Sequence, residues 1–224
     1  MPNAENEDVV HTLYDRLFRP YLPYKISVHN GVAVKDKAKL FDFRDTFPDY
    51  ESALVSAIRT QVQEGDSVII VGGGFGVSTV AAVEATGRKG EVETYEGSSK
   101  QFQIVNNTTR LNGVEDCVNT NHAIVGSFLD HSTEFYGKSG NAEIVNPSSL
   151  SKSDVLVLDC EGAELEILSN ISNNPNIVIV ETHGFLDSSE QDVRSILTKK
   201  GYEVIDRGIE AESDGIYVLT ALKQ

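Results

Sequence analysis

Tryptophan is absent from this 224-residue chain, methionine occurs once and cysteine twice. Two cysteines exclude a disulfide scaffold and a protein built on several zinc sites. Long apolar runs are missing as well. The longest, Val68–Val71 and Val155–Leu158, fall far short of a membrane span. The opening stretch MPNAENEDVV is acidic and lacks a basic region followed by an apolar one, so no secretory signal is expected. Basic residues are few: 19 Lys plus Arg stand against 34 Asp plus Glu, which leaves a net charge of −15. They form no run either, since Lys35, Lys37 and Lys39 alternate with other residues. A chain this acidic repels nucleic-acid phosphates and anionic lipid at long range. The expectation is a soluble, cytoplasmic protein without a transmembrane segment and without a nucleic-acid partner.

Enough remains to build a core. The apolar set is 40% of the chain, too much and too evenly spread for disorder, and the length suits one globular domain with a small appendage. The acidity has two readings, general solubility and adaptation to high salt, where the mutual repulsion of carboxylates is screened.

The first 50 residues differ in texture from the rest. Val9, Val10, Leu13, Leu17 and Phe18 lie at helical spacing, and Pro20 and Pro23 end that helix. Tyr24–His29 alternates, Asn30-Gly31 marks a tight turn, and Val32–Val34 follows, which predicts a hairpin. Residues 1–50 are therefore read as cap elements lying over a cleft, and 51–224 as the main domain. Pro48-Asp49 opens a helix with Leu54, Ile58 and Val62 on one face.

From Asp66 onward strands alternate with helices. Strands are expected at Ser67–Val71, Glu91–Tyr95, Cys117–Val125, Asp154–Leu158, Asn176–Val180, Tyr202–Ile205 and Ile216–Leu219, and helices at Ser98–Asn112 and Ser188–Lys200. The pattern predicts an α/β fold with a doubly wound, mostly parallel sheet of seven strands, the last two able to pair antiparallel at an edge.

Three segments carry chemistry. VGGGFGVST, Val71–Thr79, leaves a buried strand and enters a helix. Glycines there let backbone approach a ligand. Their spacing is GxGxG, at Gly72, Gly74 and Gly76, with Gly73 between. GxGxxG fails at Phe75, Val77 and Thr79, and no Gly-Lys-Ser/Thr follows. A ligand without a pyrophosphate fits best, such as S-adenosylmethionine. Glu96 ends the second strand, 20 residues after Gly76, where a carboxylate can accept from both ribose hydroxyls of an adenosine ligand. DVLVLDCEGAELEIL, Asp154–Leu168, delivers Asp159 at a strand end, with Glu161 and Glu164 next, and the following strand ends in Glu181-Thr182-His183. Asp159, Glu161, Glu181 and His183 are the candidate catalytic set, suited to general base chemistry on a hydroxyl. Asp159, Glu181 and His183 could also hold a divalent metal, but no metal is assigned.

GxGxG, the acid ending strand two and LDCEGAELEIL together resemble the class I methyltransferases that use S-adenosylmethionine. DVLVLDCEGAELEIL followed by IVIVETHG resembles the FkbM type, whose pattern there is close to D-x-x-K-x-D-x-E-G-A-E. The resemblance spans about Asp66 to Leu219. It implies that Gly72, Gly73, Gly74 and Gly76 line the methionine and ribose, that Glu96 and Gly97 hold the ribose, that His122 and Ala123 lie near the adenine, and that Asp159 stands beside the sulfonium and the acceptor. It further implies transfer to oxygen, often on a sugar or secondary metabolite; the acceptor group is a hydroxyl, which gains from a base, or a carboxylate, which needs none, and the net acidity points to a small molecule, glycan or lipid-linked sugar. Ile70 stands where the family usually has an acid, Gly74 where it often has Asn, and Val157 where it usually has Lys. Glu51 or Tyr50 would have to replace the missing acid. Two other functions compete: a NAD-dependent oxidoreductase, which shares Glu96 but lacks the glycine spacing, and a module that binds S-adenosylmethionine without catalysis. No Asn-Pro-Pro-Tyr segment follows the fourth strand, and Cys160 has no Pro before it. These absences point away from base-directed methylation.

Overall fold

Successive side chains on a strand face opposite sides of its sheet, so a run such as SVIIV must find apolar partners on both. The computed structural model, which describes residues 24–37, 44–127, 139–184 and 188–224, supplies them. Strands β1 (Tyr24–His29), β2 (Val32–Lys37) and β3 (Thr46–Phe47) form a small sheet in the order β2-β1-β3. Helix α1 (Ser52–Gln61) leads to β4 (Ser67–Val71), α2 (Val77–Thr86), β5 (Glu91–Glu96), α3 (Ser99–Leu111), β6 (Val118–Val125) and β7 (Glu143–Val145). The chain continues through β8 (Val155–Leu158), α4 (Glu164–Asn170), β9 (Ile177–His183), α5 (Glu190–Lys199), β10 (Tyr202–Ala211) and β11 (Ile216–Lys223).

The large sheet runs β10-β11-β9-β8-β4-β5-β6-β7. It is parallel from β9 to β7, and β11 lies antiparallel between β9 and β10. Val68, Ile70, Val155, Val157 and Ile179 bury one face against α1 and α2, while Ile69, Val71, Leu156, Leu158 and Val180 bury the other against α4 and α5. The fold class matches the expectation, with eight strands in place of seven. The added strand is β7, three residues with two exposed, too short and too polar to show as an apolar run. The last two strands pair antiparallel as expected, but β10 reaches Ala211 and β11 reaches Lys223.

The chain order reverses between β4 and β8: β5 to β7 are added on one side, β9 on the other. The helices that follow β4 and β8, α2 and α4, pack on opposite faces of the sheet there, and such a switch point opens a crevice for a ligand.

The hairpin is a structural part of this core. Val32 and Val34 are fully buried in the same cluster as Val68 and Val80. Asn112, at the end of α3, donates through Nδ2 to the Ala33 carbonyl at 2.8 Å, and its Oδ1 accepts from the Ala33 N–H at 3.0 Å. Among the described residues, none of 24–37 lines the cleft; the elements before β4 reach it only through Tyr50 and Glu51. The helix expected at residues 9–18 lies outside the described residues. No helix among those described is long and apolar enough to cross a membrane.

Candidate active site

The cleft at the switch point has a volume of about 480 Å³. Its floor is the glycine loop. Gly72 follows β4 with φ +95°, and a Cβ there would lie 1.6 Å from the Asp159 carbonyl oxygen, so only glycine lets the ends of β4 and β8 come this close. Gly74, at φ +50°, faces the cleft, where its nearest neighbour is Glu51 Oε1, 3.7 Å from a Cβ placed on it. Gly73 and Gly76 do not line the cleft; they pack against Val105 and Thr108 of α3.

Glu96 arrives from the end of β5, as its strand-end position predicts. Its Oε2 accepts from the Gly73 and Gly74 N–H groups, each at 3.0 Å, and Oε1 accepts from the Ser98 N–H at 2.7 Å. Burial lifts its pKa, and these three amides only partly offset the rise. Gly97, Ala123 and Val125 line the same end of the cleft. His122 does not. Neighbouring strand residues alternate faces, so its ring stacks on Phe102 of α3 at 5.0 Å and its Nε2 meets Ser99 Oγ at 3.2 Å. Gln101, which sequence reasoning passed over, lines the cleft with a buried Oε1 that has no hydrogen-bond partner among the described residues.

The opposite end is acidic. Asp159, Glu161, Glu181 and His183 meet there, as the strand ends dictate. His183 Nε2 lies 3.6 Å from Asp159 Oδ1 and 3.5 Å from Glu181 Oε1. Its Nδ1 lies 2.9 Å from Glu164 Oε1. Glu164 is wholly buried and also accepts from the Cys160 N–H at 3.2 Å and the Gly162 N–H at 2.9 Å. It thus fixes the turn after β8 and the imidazole together. Burial pulls the His183 pKa down, but Glu164, Glu181 and Asp159 outweigh it and lift it to about 11. Burial raises Asp159 well above the usual carboxylate range, helped by the charges of Glu181, Glu161 and Glu51 and opposed by His183. The Cys160 thiol is pushed up by burial and by Glu164, which leaves it without nucleophilic character.

Glu51 completes the ring of acids. It precedes α1 in a left-handed conformation (φ 45°, ψ 43°) and gives that helix no side-chain cap. The cap comes from β10: Glu210 accepts from the Ser52 N–H at 3.0 Å and the Ala53 N–H at 2.8 Å. Glu51 is thereby left to face the cleft, where burial, followed by the charges of Glu181 and Glu210, raises its pKa to about 7 against the pull of a Tyr50 hydrogen bond. Ile70 sits fully buried in the layer with α1 and α2, so the carboxylate on that side of the cleft is Glu51.

A family model, that of the methyltransferase FkbM domain, matches residues 57–204. None of the curated proteins matches the sequence. Solved structures do. Trm5b from Pyrococcus abyssi superposes with a TM-score of 0.57 at 14% identity, over 90% of this chain and 56% of its own, so the chain spans little more than half that protein's length. TrmK from M. capricolum, solved with S-adenosyl-homocysteine, gives 0.52 at 15% identity over 76% of this chain and 67% of its own. A SAM-dependent O-methyltransferase from Thermotoga maritima gives 0.50 at 16% identity over 79% of this chain and 65% of its own. At such identities these likenesses bear on the fold.

Proposed function

The chain belongs to the methyltransferase FkbM domain family, with S-adenosylmethionine as cofactor, and we propose that it methylates an oxygen of a sugar, glycan or other small molecule. The observation that carries this reading is Asp159. It is a half-buried carboxylate with a raised pKa, at the floor of the cleft beside the glycine loop.

The cleft fits the cofactor at both ends. The open Gly74 face leaves room for it. Glu96 Oε1 keeps accepting capacity for ribose hydroxyls, and the orphaned Gln101 Oε1 offers an acceptor to the adenine amine. Tyr95, Ala123 and Val125 give apolar walls for the ring. Glu51 supplies the carboxylate for the ammonium of the methionine part. When bound, the cofactor supplies an electrophilic methyl group. The residues align the acceptor, exclude water and take its proton. Asp159 takes the proton: its raised pKa makes it a stronger base than a solvated carboxylate. His183 is charged at neutral pH and anchored by Glu164, so it holds Asp159 and Glu181 in place.

The acceptor is proposed to be a small molecule reached from solution. RNA is disfavoured because, among the described residues, five carboxylates and a single imidazole line the cleft, and the whole chain carries −15, which opposes phosphate. A screen of hydroxylated acceptors with labelled S-adenosylmethionine tests the reading. Asp159→Asn should cut transfer at least about a hundredfold while cofactor affinity stays within a few fold. Undiminished transfer in this variant would remove Asp159 as the base. Transfer to none of the acceptors by the wild type, with cofactor still bound, would favour a non-catalytic binding module.

A further inference from the structure

We infer that Asp159, Glu161, Glu181 and His183 form a site for one divalent cation of the Mn²⁺ type. Oxygen atoms of Asp159 and Glu161 and a ring nitrogen of His183 lie within 4.8 Å of one another. The Nε2 of His183 faces Asp159 and Glu181 at 3.6 and 3.5 Å. Two carboxylates and an imidazole are thus mutually close, with Glu181 beside the same imidazole nitrogen, and four observations separate this set from an ordinary acidic patch.

The first is Glu181. It is 6% exposed, it lines the cleft, and its Oε2 is buried without a hydrogen-bond partner among the described residues. A buried carboxylate oxygen with nothing to accept costs free energy unless a cation or donor meets it. The second is Glu164, which engages Nδ1 at 2.9 Å from a fully buried position and leaves Nε2 facing the cluster. A carboxylate behind a histidine is the arrangement that orients metal-ligating imidazoles and raises their basicity. The third is that Glu164 is itself pinned by the Cys160 and Gly162 amides, so the imidazole is held before any ligand arrives. The fourth is charge: among the described residues lining the cleft, His183 is the one basic side chain beside Glu51, Glu96, Asp159, Glu161 and Glu181.

The donor types select the ion. Oxygen ligands dominate, which suits Mg²⁺, Ca²⁺ and Mn²⁺, and the imidazole shifts the choice to Mn²⁺. The ion takes the place of the proton on Nε2. Beside an acceptor hydroxyl it would lower that hydroxyl's pKa. This last role rests on the methyl-transfer reading; binding of the ion does not. The sequence alone assigned no metal because neither the orphaned oxygen nor the Glu164 contact is visible in residue spacing.

The test uses the full chain stripped with EDTA and titrated with MnCl₂, with unbound Mn²⁺ read by electron paramagnetic resonance. One site per chain is expected, weakened at least tenfold in Asp159→Asn and in Glu181→Gln, two isosteric changes, and unchanged in the exposed Glu212→Gln. Absence of a stoichiometric site, or equal affinity in wild type and both cleft variants, overturns the inference. Calorimetry with S-adenosylmethionine on the same stripped protein separates the two claims. Cofactor binding without a Mn²⁺ site defeats the metal alone, and a Mn²⁺ site without cofactor binding defeats the methyltransferase reading alone.

Discussion

Glu51 illustrates how a single residue can be placed by others far away in sequence. Glu210 on β10 caps α1, and Glu51 turns its carboxylate to the cleft in a left-handed conformation. With its pKa near 7, it is mostly neutral at pH 6 and mostly ionised at pH 8. A cationic ammonium prefers the ionised form, so affinity for S-adenosylmethionine should rise roughly tenfold from pH 6 to pH 8 and then level off. In Glu51→Gln that rise should vanish and affinity at pH 8 should fall to about the wild-type pH 6 level. A pH slope as steep in the variant as in the wild type would assign the titration to another group. The same shift acts on the ligand-free protein. A raised carboxyl pKa contributes stability below about 4.5 that is lost as pH rises through about 7. For a group cut off from water this is worth about 3 kcal/mol, and less for Glu51, which is part open to the cleft. Residues at strand ends were legible: Asp159, Glu181 and Glu96 lie where the strand pattern put them. The stacking of His122 on Phe102 and the Glu164 contact were not legible, since each needed the fold to bring distant positions together.

At the scale of elements, the glycine loop separates two demands that its sequence merges. Gly72 serves packing between β4 and β8, whereas Gly74 serves the cleft. Gly72→Ala would drive a methyl group to 1.6 Å from the Asp159 carbonyl, so the strands must part. The expected result is a protein that fails to fold or melts at least 10 °C lower, as a core disruption of several kcal/mol requires. Gly74→Ala meets no backbone and bears only the left-handed strain of about 1–2 kcal/mol. It should fold and lose cofactor affinity at least tenfold. Thermal melts and calorimetry on the two variants check the contrast; equal melting temperatures would contradict it. The central strands were legible because burial on both faces leaves an unbroken apolar run. Strand β10 was cut short in the reading because its second half, DRGIEA, is an edge with alternating exposed residues and two register shifts. The hairpin was legible as a hairpin, from Asn30-Gly31, but its seat on α2 and α3 was not. That seat depends on the contact of Asn112 with Ala33, 79 residues apart.

For the whole molecule, the net charge of −15 divides into two parts. A few carboxylates gather where the strand order reverses, and the remainder is spread along the chain. The first part is what the fold adds to the composition: it turns an average acidity into a cleft with Glu96 at one end and the cluster around His183 at the other. Binding of S-adenosylmethionine in that crevice is the claim on which the methyl-transfer reading depends. Calorimetric titration of the full chain with S-adenosylmethionine and, separately, with NAD tests it most directly. One-site binding of S-adenosylmethionine, weakened at least tenfold by Glu96→Gln, with no heat from NAD, is the predicted result. Binding of NAD in its place, or no binding of S-adenosylmethionine by a folded protein, would contradict the account.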